Sequence, residues 1–152
     1  MKKILSMFLV LALTLTVVAC ASNTNQNANF GKGKVMALEF ETNPSTGYNW
    51  EYKFENGDGE IVFDREENKI NEDLDLVGAS HQVVYYFKAE KPGNRNLVFT
   101  YRRPWLGGDV AYDVVYELSV DENLNITCLS KMKGTVESDK ELSYFPNPTF
   151  SD

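Results

Sequence analysis

The sequence predicts an all-β fold, an antiparallel sandwich of seven to eight short strands. Three observations carry this. From Val35 onward apolar residues recur with a period of two, the spacing that lines up one face of a strand. Turn signals rich in Gly, Pro, Asn and Asp separate the apolar runs at short intervals. No stretch shows the 3.6-residue period of an amphipathic helix.

Taken in order, "VMALEF" puts Met36, Leu38 and Phe40 on one face. "YNWEYKF" aligns Tyr48, Trp50, Tyr52 and Phe54 opposite Asn49, Glu51 and Lys53. "LVFTYR" alternates Leu97, Phe99 and Tyr101 with Val98, Thr100 and Arg102, and "YDVVYELSV" turns Tyr112, Val114, Tyr116, Leu118 and Val120 inward. Shorter apolar runs lie at "EIVFD", "VVYYFKA" and "NITCLS", and turns are marked by "ENGDGE", "KPGN", "WLGGD" and "DENLN". The charged stretch "REENKINEDLDL" fits one helical turn or an irregular excursion. The tail "SDKELSYFPNPTFSD" reads as an extension over the surface, and whether Tyr144, Phe145 and Phe150 dock on the sandwich is open.

The chain has 152 residues, enough for one domain with tails, and 43% hydrophobic and 12% aromatic residues supply a core. A net charge of −7 argues against nucleic-acid binding and leaves the surface suited to a basic partner face. The first twenty residues stand apart. Lys2 and Lys3 precede an uncharged apolar run from Ile4 to Val18, too short for a membrane span and flanked like a signal peptide. The ending Val17-Val18-Ala19-Cys20 resembles the lipobox of bacterial lipoproteins. That resemblance implies removal of residues 1–19, lipidation of Cys20 and a chain exported and lipid-anchored to the bacterial cell membrane. Loss of the two lysines takes the net charge from −7 to −9. Residues 20–33, polar and Asn-rich, are expected to be a flexible tether. The expected domain then spans 34–133, with a C-terminal extension at 134–152. Cys128 is left as the one other thiol, with no disulfide partner, and reads as a small core residue.

Catalytic chemistry lacks a constellation. His81 is the single histidine, and one imidazole makes neither a triad nor a metal site by itself. The acidic run Glu66, Glu67, Glu72, Asp73 and Asp75 lacks the ligand spacing of a calcium loop. No phosphate-cradling glycine loop or zinc spacing is present. The expectation is a non-enzyme with no cofactor and no metal.

Three loops are built for binding instead. In "NPSTGYNW", Pro44 fixes its own φ and pushes Asn43 to an extended geometry, Gly47 can take positive φ, and Tyr48 and Trp50 are expected to plug into the core. Ser45 and Thr46 are left at a stiff tip. In "YRRPW", Trp105 lies beyond the paired region beside Arg102 and Arg103, with Pro104 stiffening the approach. The bland alternative is that Trp105 folds back on the sandwich. In "VGASHQ", the small residues Gly78, Ala79 and Ser80 allow close backbone approach.

The order NPxTGYxW, a Gly-containing loop ahead of "FKA", "KPG" and then "YRRPW" resembles the chagasin family of cysteine protease inhibitors, over about residues 33–132. The resemblance implies an immunoglobulin-like sandwich with three inhibitory loops at one end, occluding a papain-like protease reversibly and without covalent chemistry. Asn43, Pro44, Ser45, Thr46, Gly47 and Tyr48 would enter the catalytic cleft, Thr46 closest to the cysteine–histidine pair. Arg103, Pro104 and Trp105 would line one wall, and Gly78, Ala79, Ser80 and His81 would touch the other side, largely through backbone. Where the family usually has a second glycine in the third loop, this chain has Ser80-His81. The expected partners are a papain-like cysteine protease and, through Cys20, a membrane; a monomer is expected. The competing reading is a cell-surface adhesion or envelope-assembly sandwich using the same loops on a non-protease ligand.

Overall fold

The computed structural model describes residues 30–69, 78–105 and 107–152. The expected signal peptide, Cys20, most of the expected tether and the far half of the charged excursion lie outside the described residues. Seven long strands form the body: β2 (Val35–Thr42), β3 (Asn49–Glu55), β4 (Glu60–Lys69), β5 (His81–Lys91), β6 (Gly93–Arg102), β7 (Val110–Val120) and β8 (Ile126–Lys133). Two short strands, β1 (Lys32–Gly33) and β9 (Thr149–Ser151), complete them. One sheet has the order β1-β8-β7-β6-β3 and the other β4-β5-β2-β9, every pairing antiparallel. This is an immunoglobulin-like β-sandwich, and no α-helix occurs among the described residues.

The period-two sets meet between the sheets. Met36, Leu38 and Phe40 of β2 are buried against Leu97 and Phe99 of β6, Val114, Tyr116 and Leu118 of β7, and Trp50 of β3. Phe40 sits at the centre, with ring centroids 4.2 Å from Trp50 and 4.4 Å from Phe99. Trp50 satisfies its indole N–H by donating to the Glu41 carbonyl at 2.9 Å, so a polar group enters the core without an unmade bond. Cys128 is buried as expected, and burial pushes its thiol pKa up to about 12, far from a reactive thiolate.

Two stretches differ from expectation, and a third, left open by the sequence, joins the fold. The strand expected to end at Asp64 runs on to Lys69, so residues 65–69 of the charged stretch are strand rather than a helical turn or loop. Charge pairing across and along the sheet explains it. Arg65 bridges Glu67 at 3.0 Å, Lys69 bridges Glu39 at 2.6 Å, and Lys88 pairs with Asp64. β4 is an edge, where a charged strand also discourages pairing with another chain.

The sheet also begins before residue 34, since Lys32 and Gly33 pair with Thr127 and Ile126, and Phe30 packs on the core. The C-terminal segment, finally, belongs to the fold. β9 pairs with β2, while Leu142 and Phe145 are core residues. A bulge at Leu129 shifts the register, so that Lys131 is buried opposite Tyr116. From these two positions Lys131 Nζ donates to the Phe145 carbonyl at 2.8 Å and Tyr116 Oη to the Pro146 carbonyl at 2.8 Å. Burial lowers the Lys131 pKa, and a further bond to Asn147 Oδ1 at 2.6 Å completes the ammonium's partners.

Candidate functional site

Antiparallel register gathers the loops at one pole. Thr42 lies opposite His81, Asn49 opposite Arg102, and Lys69 opposite Gln82. The connections β2–β3, β4–β5 and β6–β7 therefore leave from the same end of the sandwich.

The first connection is a single 3-10 turn, Pro44–Thr46. Asn43 is extended (φ −135°, ψ 94°), as a residue before proline must be, and its side chain accepts from the Ser45 N–H at 3.1 Å. The Asn43 carbonyl accepts from the Thr46 N–H at 3.1 Å and from Thr46 Oγ1 at 2.7 Å, and the Pro44 carbonyl from the Gly47 N–H at 3.0 Å. Gly47 closes the turn in the left-handed region at φ 75°. Ser45 and Thr46 are exposed at the tip, yet almost every polar group of the turn is bonded within it.

The second connection leans on the first. Trp105 is 52% exposed, so it does not fold back into the sandwich. Its indole edge lies against Gly47, where a Cβ would stand 3.2 Å from Trp105 Cη2. The Arg103 guanidinium sits between the loops, 4.7 Å from the Tyr48 ring centre and 5.6 Å from that of Trp105. Tyr48 Oη donates to Asp109 Oδ2 at 2.8 Å, and Arg103 bridges the same carboxylate at 3.3 Å. The hydrogen bond from Tyr48, helped by the Arg103 charge, holds the Asp109 carboxyl below its usual pKa. The same bond raises the Tyr48 phenol.

Tyr48 therefore does not plug into the core as expected. It is half-buried, stacked on Tyr101 at 5.3 Å, because its hydroxyl finds a carboxylate at the rim. Trp50 alone of that pair reaches the interior. Tyr101 in turn stacks on Tyr112 at 5.1 Å and brings its hydroxyl to 3.4 Å from Thr46 Oγ1. An aromatic column thus stands under the tip.

The third connection touches the first as well: a Cβ on Gly78 would lie 3.5 Å from Ser45 Oγ. Ala79 and Ser80 follow without regular structure, whereas His81 is already the first residue of β5 and belongs to the ladder. All thirteen residues singled out in the sequence, twelve before or between strands and His81 at the start of β5, are thus at one pole. Asp109 shows in the sequence only as the end of the turn signal "WLGGD", an acidic residue closing a Gly-Gly turn beside an Arg-rich loop. Among the described residues no group of three His, Cys, Asp or Glu side chains is placed to hold a metal ion.

Fold and pole together define a class: an immunoglobulin-like sandwich carrying a preformed cluster of three loops. A family model, the chagasin family peptidase inhibitor I42, matches residues 29–120, more than half of the chain. The chain belongs to that family, whose members inhibit cysteine proteases. Among curated proteins and among solved structures no significant match is found.

Proposed function

We propose that the protein is a reversible, non-covalent inhibitor of papain-like cysteine proteases that blocks the catalytic cleft with its three loops. The observation that carries this is mutual contact: Trp105 rests on Gly47, and Ser45 lies against Gly78, so the three loops adjoin along one edge. A preassembled edge loses little conformational entropy on docking. Its exposed tryptophan beside an arginine has the composition of a binding hot spot.

Resistance to cleavage follows from the backbone of the tip. A papain-like protease must receive an extended strand to bring a carbonyl to its thiolate. Asn43–Gly47 is instead a 3-10 turn whose Asn43 and Pro44 carbonyls are already hydrogen-bonded inside the loop. Thr46 can fill the space above the cysteine–histidine pair without offering a bond to cut. Arg103, Pro104 and Trp105 then lie along one wall, and Gly78 to His81 along the other. An interface of about 1,600 Å² is within reach of such an edge. We further place the chain at a membrane surface through a lipid on Cys20, with the Asn-rich segment as its spacer.

Titrating papain with the purified protein tests the inhibitory reading. A stoichiometric, dilution-reversible loss of activity, with the inhibitor intact afterwards, is expected. Full papain activity at micromolar protein favours the adhesion or envelope reading. Incorporation of labelled palmitate, abolished by Cys20→Ala, tests the anchor.

A further inference from the structure

A fourth connection leaves the sandwich at the loop pole. β8 runs antiparallel to β7, with Lys133 opposite Val114, so residues 134 onward emerge beside the loop that carries Trp105. This segment lies beyond the matched residues 29–120. It is tied down by hydrogen bonds of its own. Asp113 accepts from the Thr135 N–H at 3.0 Å and the Val136 N–H at 2.9 Å, and Gly134 donates to the Asp113 carbonyl at 3.0 Å. Lys133 Nζ bonds the Ser138 carbonyl at 3.3 Å, and Ser138 Oγ accepts from the Lys140 N–H at 3.1 Å.

The segment ends in an exposed aromatic. Tyr144 is 41% exposed, packs edge-on against Tyr112 at 5.5 Å and shares a 3.0 Å hydroxyl contact with it. Lys140 Nζ lies over the Tyr144 ring at 4.5 Å. Tyr112 is the ring stacked 5.1 Å from Tyr101, which touches Thr46 at the tip. Steps of 5.1 and 5.5 Å place the Tyr144 ring within about 11 Å of Tyr101. A standard interface covers about 800 Å² per partner, a disc of roughly 16 Å radius. The Tyr144 ring is therefore nearer to Tyr101 than that radius.

We propose that residues 137–144 form a fourth contact with the protease blocked by the three loops, with Tyr144 as a rim anchor. The inference rests on the inhibitory reading above. Exposed Glu137, Asp139 and Glu141 outnumber Lys140, so the segment fits a protease whose surface beside the cleft carries lysine or arginine, and selects among proteases on that basis.

The test measures dissociation from papain for the full chain and three variants. Tyr144→Ala is expected to dissociate about fivefold to tenfold faster, Asp139→Lys about threefold faster, and Trp105→Ala about 100-fold faster. Melting temperatures accompany each. Should Tyr144→Ala lower the melting temperature, the exposed Asp139→Lys, read at low and high salt, decides alone. Rates within twofold of the parent for both tail variants, while Trp105→Ala weakens binding, overturn the fourth contact and leave the three loops standing. No inhibition by the parent chain overturns both.

Discussion

The two poles of the sandwich use similar residues for opposite ends. At the pole away from the loops, Asn56 (φ 49°), Gly57 (φ 86°), Gly93 (φ 136°) and Leu124 (φ 62°) make tight turns. Gly57 is packed so closely that a Cβ would stand 2.0 Å from the Asn94 carbonyl oxygen. Asp121 accepts from the Asn123 and Asn125 N–H groups, both at 2.9 Å, closing the last turn on itself. Polar groups are consumed there, and among the described residues no large apolar side chain of the turns at 56–59 and 121–125 is exposed. At the loop pole Gly47 also takes positive φ, but the space it frees admits an indole edge rather than a backbone carbonyl. Trp105 and Tyr144 stay exposed, and the tie that steadies the loops, Tyr48–Asp109–Arg103, is at the surface. Rigidity at one pole ends a strand. At the other it presents a surface.

Substitutions that separate stability from inhibition sharpen that contrast. The largest effect is expected for Trp105→Ala, about a 100-fold loss of papain inhibition with little change in melting temperature, because the side chain is half exposed. Gly57→Ala should do the reverse. Its positive φ and the backbone clash cost about 2–3 kcal/mol of stability, read by denaturant unfolding, while the inhibition constant of the folded fraction is unchanged. Gly47→Ala combines both in small measure: about a tenfold loss of inhibition, since the new methyl pushes on Trp105, and about 1 kcal/mol of stability.

The smallest effects concern the rim tie. Tyr48→Phe and Asp109→Asn are each expected to weaken inhibition about twofold to fivefold by loosening one loop from the other. Asp109 also sets a pH dependence. Its folded pKa is depressed below the unfolded value, so the tie is fully present above the ordinary carboxylate range and is lost as pH falls through the lowered value. Binding measured from neutral pH down to about pH 5 should show no change from this tie. A decline, absent in Asp109→Asn, is expected only below about pH 4.

Much of this arrangement was legible in the residues. Alternation placed Met36, Leu38, Phe40, Phe99 and Tyr116 inside, because a strand's side chains have nowhere else to go once one face is buried. Asn43-Pro44 and Gly47 dictated the turn by backbone sterics alone. What the residues do not disclose depends on partners distant in sequence. The strand character of residues 65–69 rests on Tyr86 in the adjacent strand β5 and on Glu39 one strand further, in β2. The C-terminal segment is held by Lys131, which a bulge at Leu129 turns inward against any simple alternation. Tyr48 was drawn off the core by Asp109, 61 residues away.

Amide hydrogen exchange of the papain complex tests the central claim most directly. Slowed exchange at residues 43–48, 78–81 and 103–105, with 56–59 and 121–125 exchanging as in the free protein, is the expected result. Protection confined to 56–59 and 121–125 would contradict it, since the contact face would then be the closed pole.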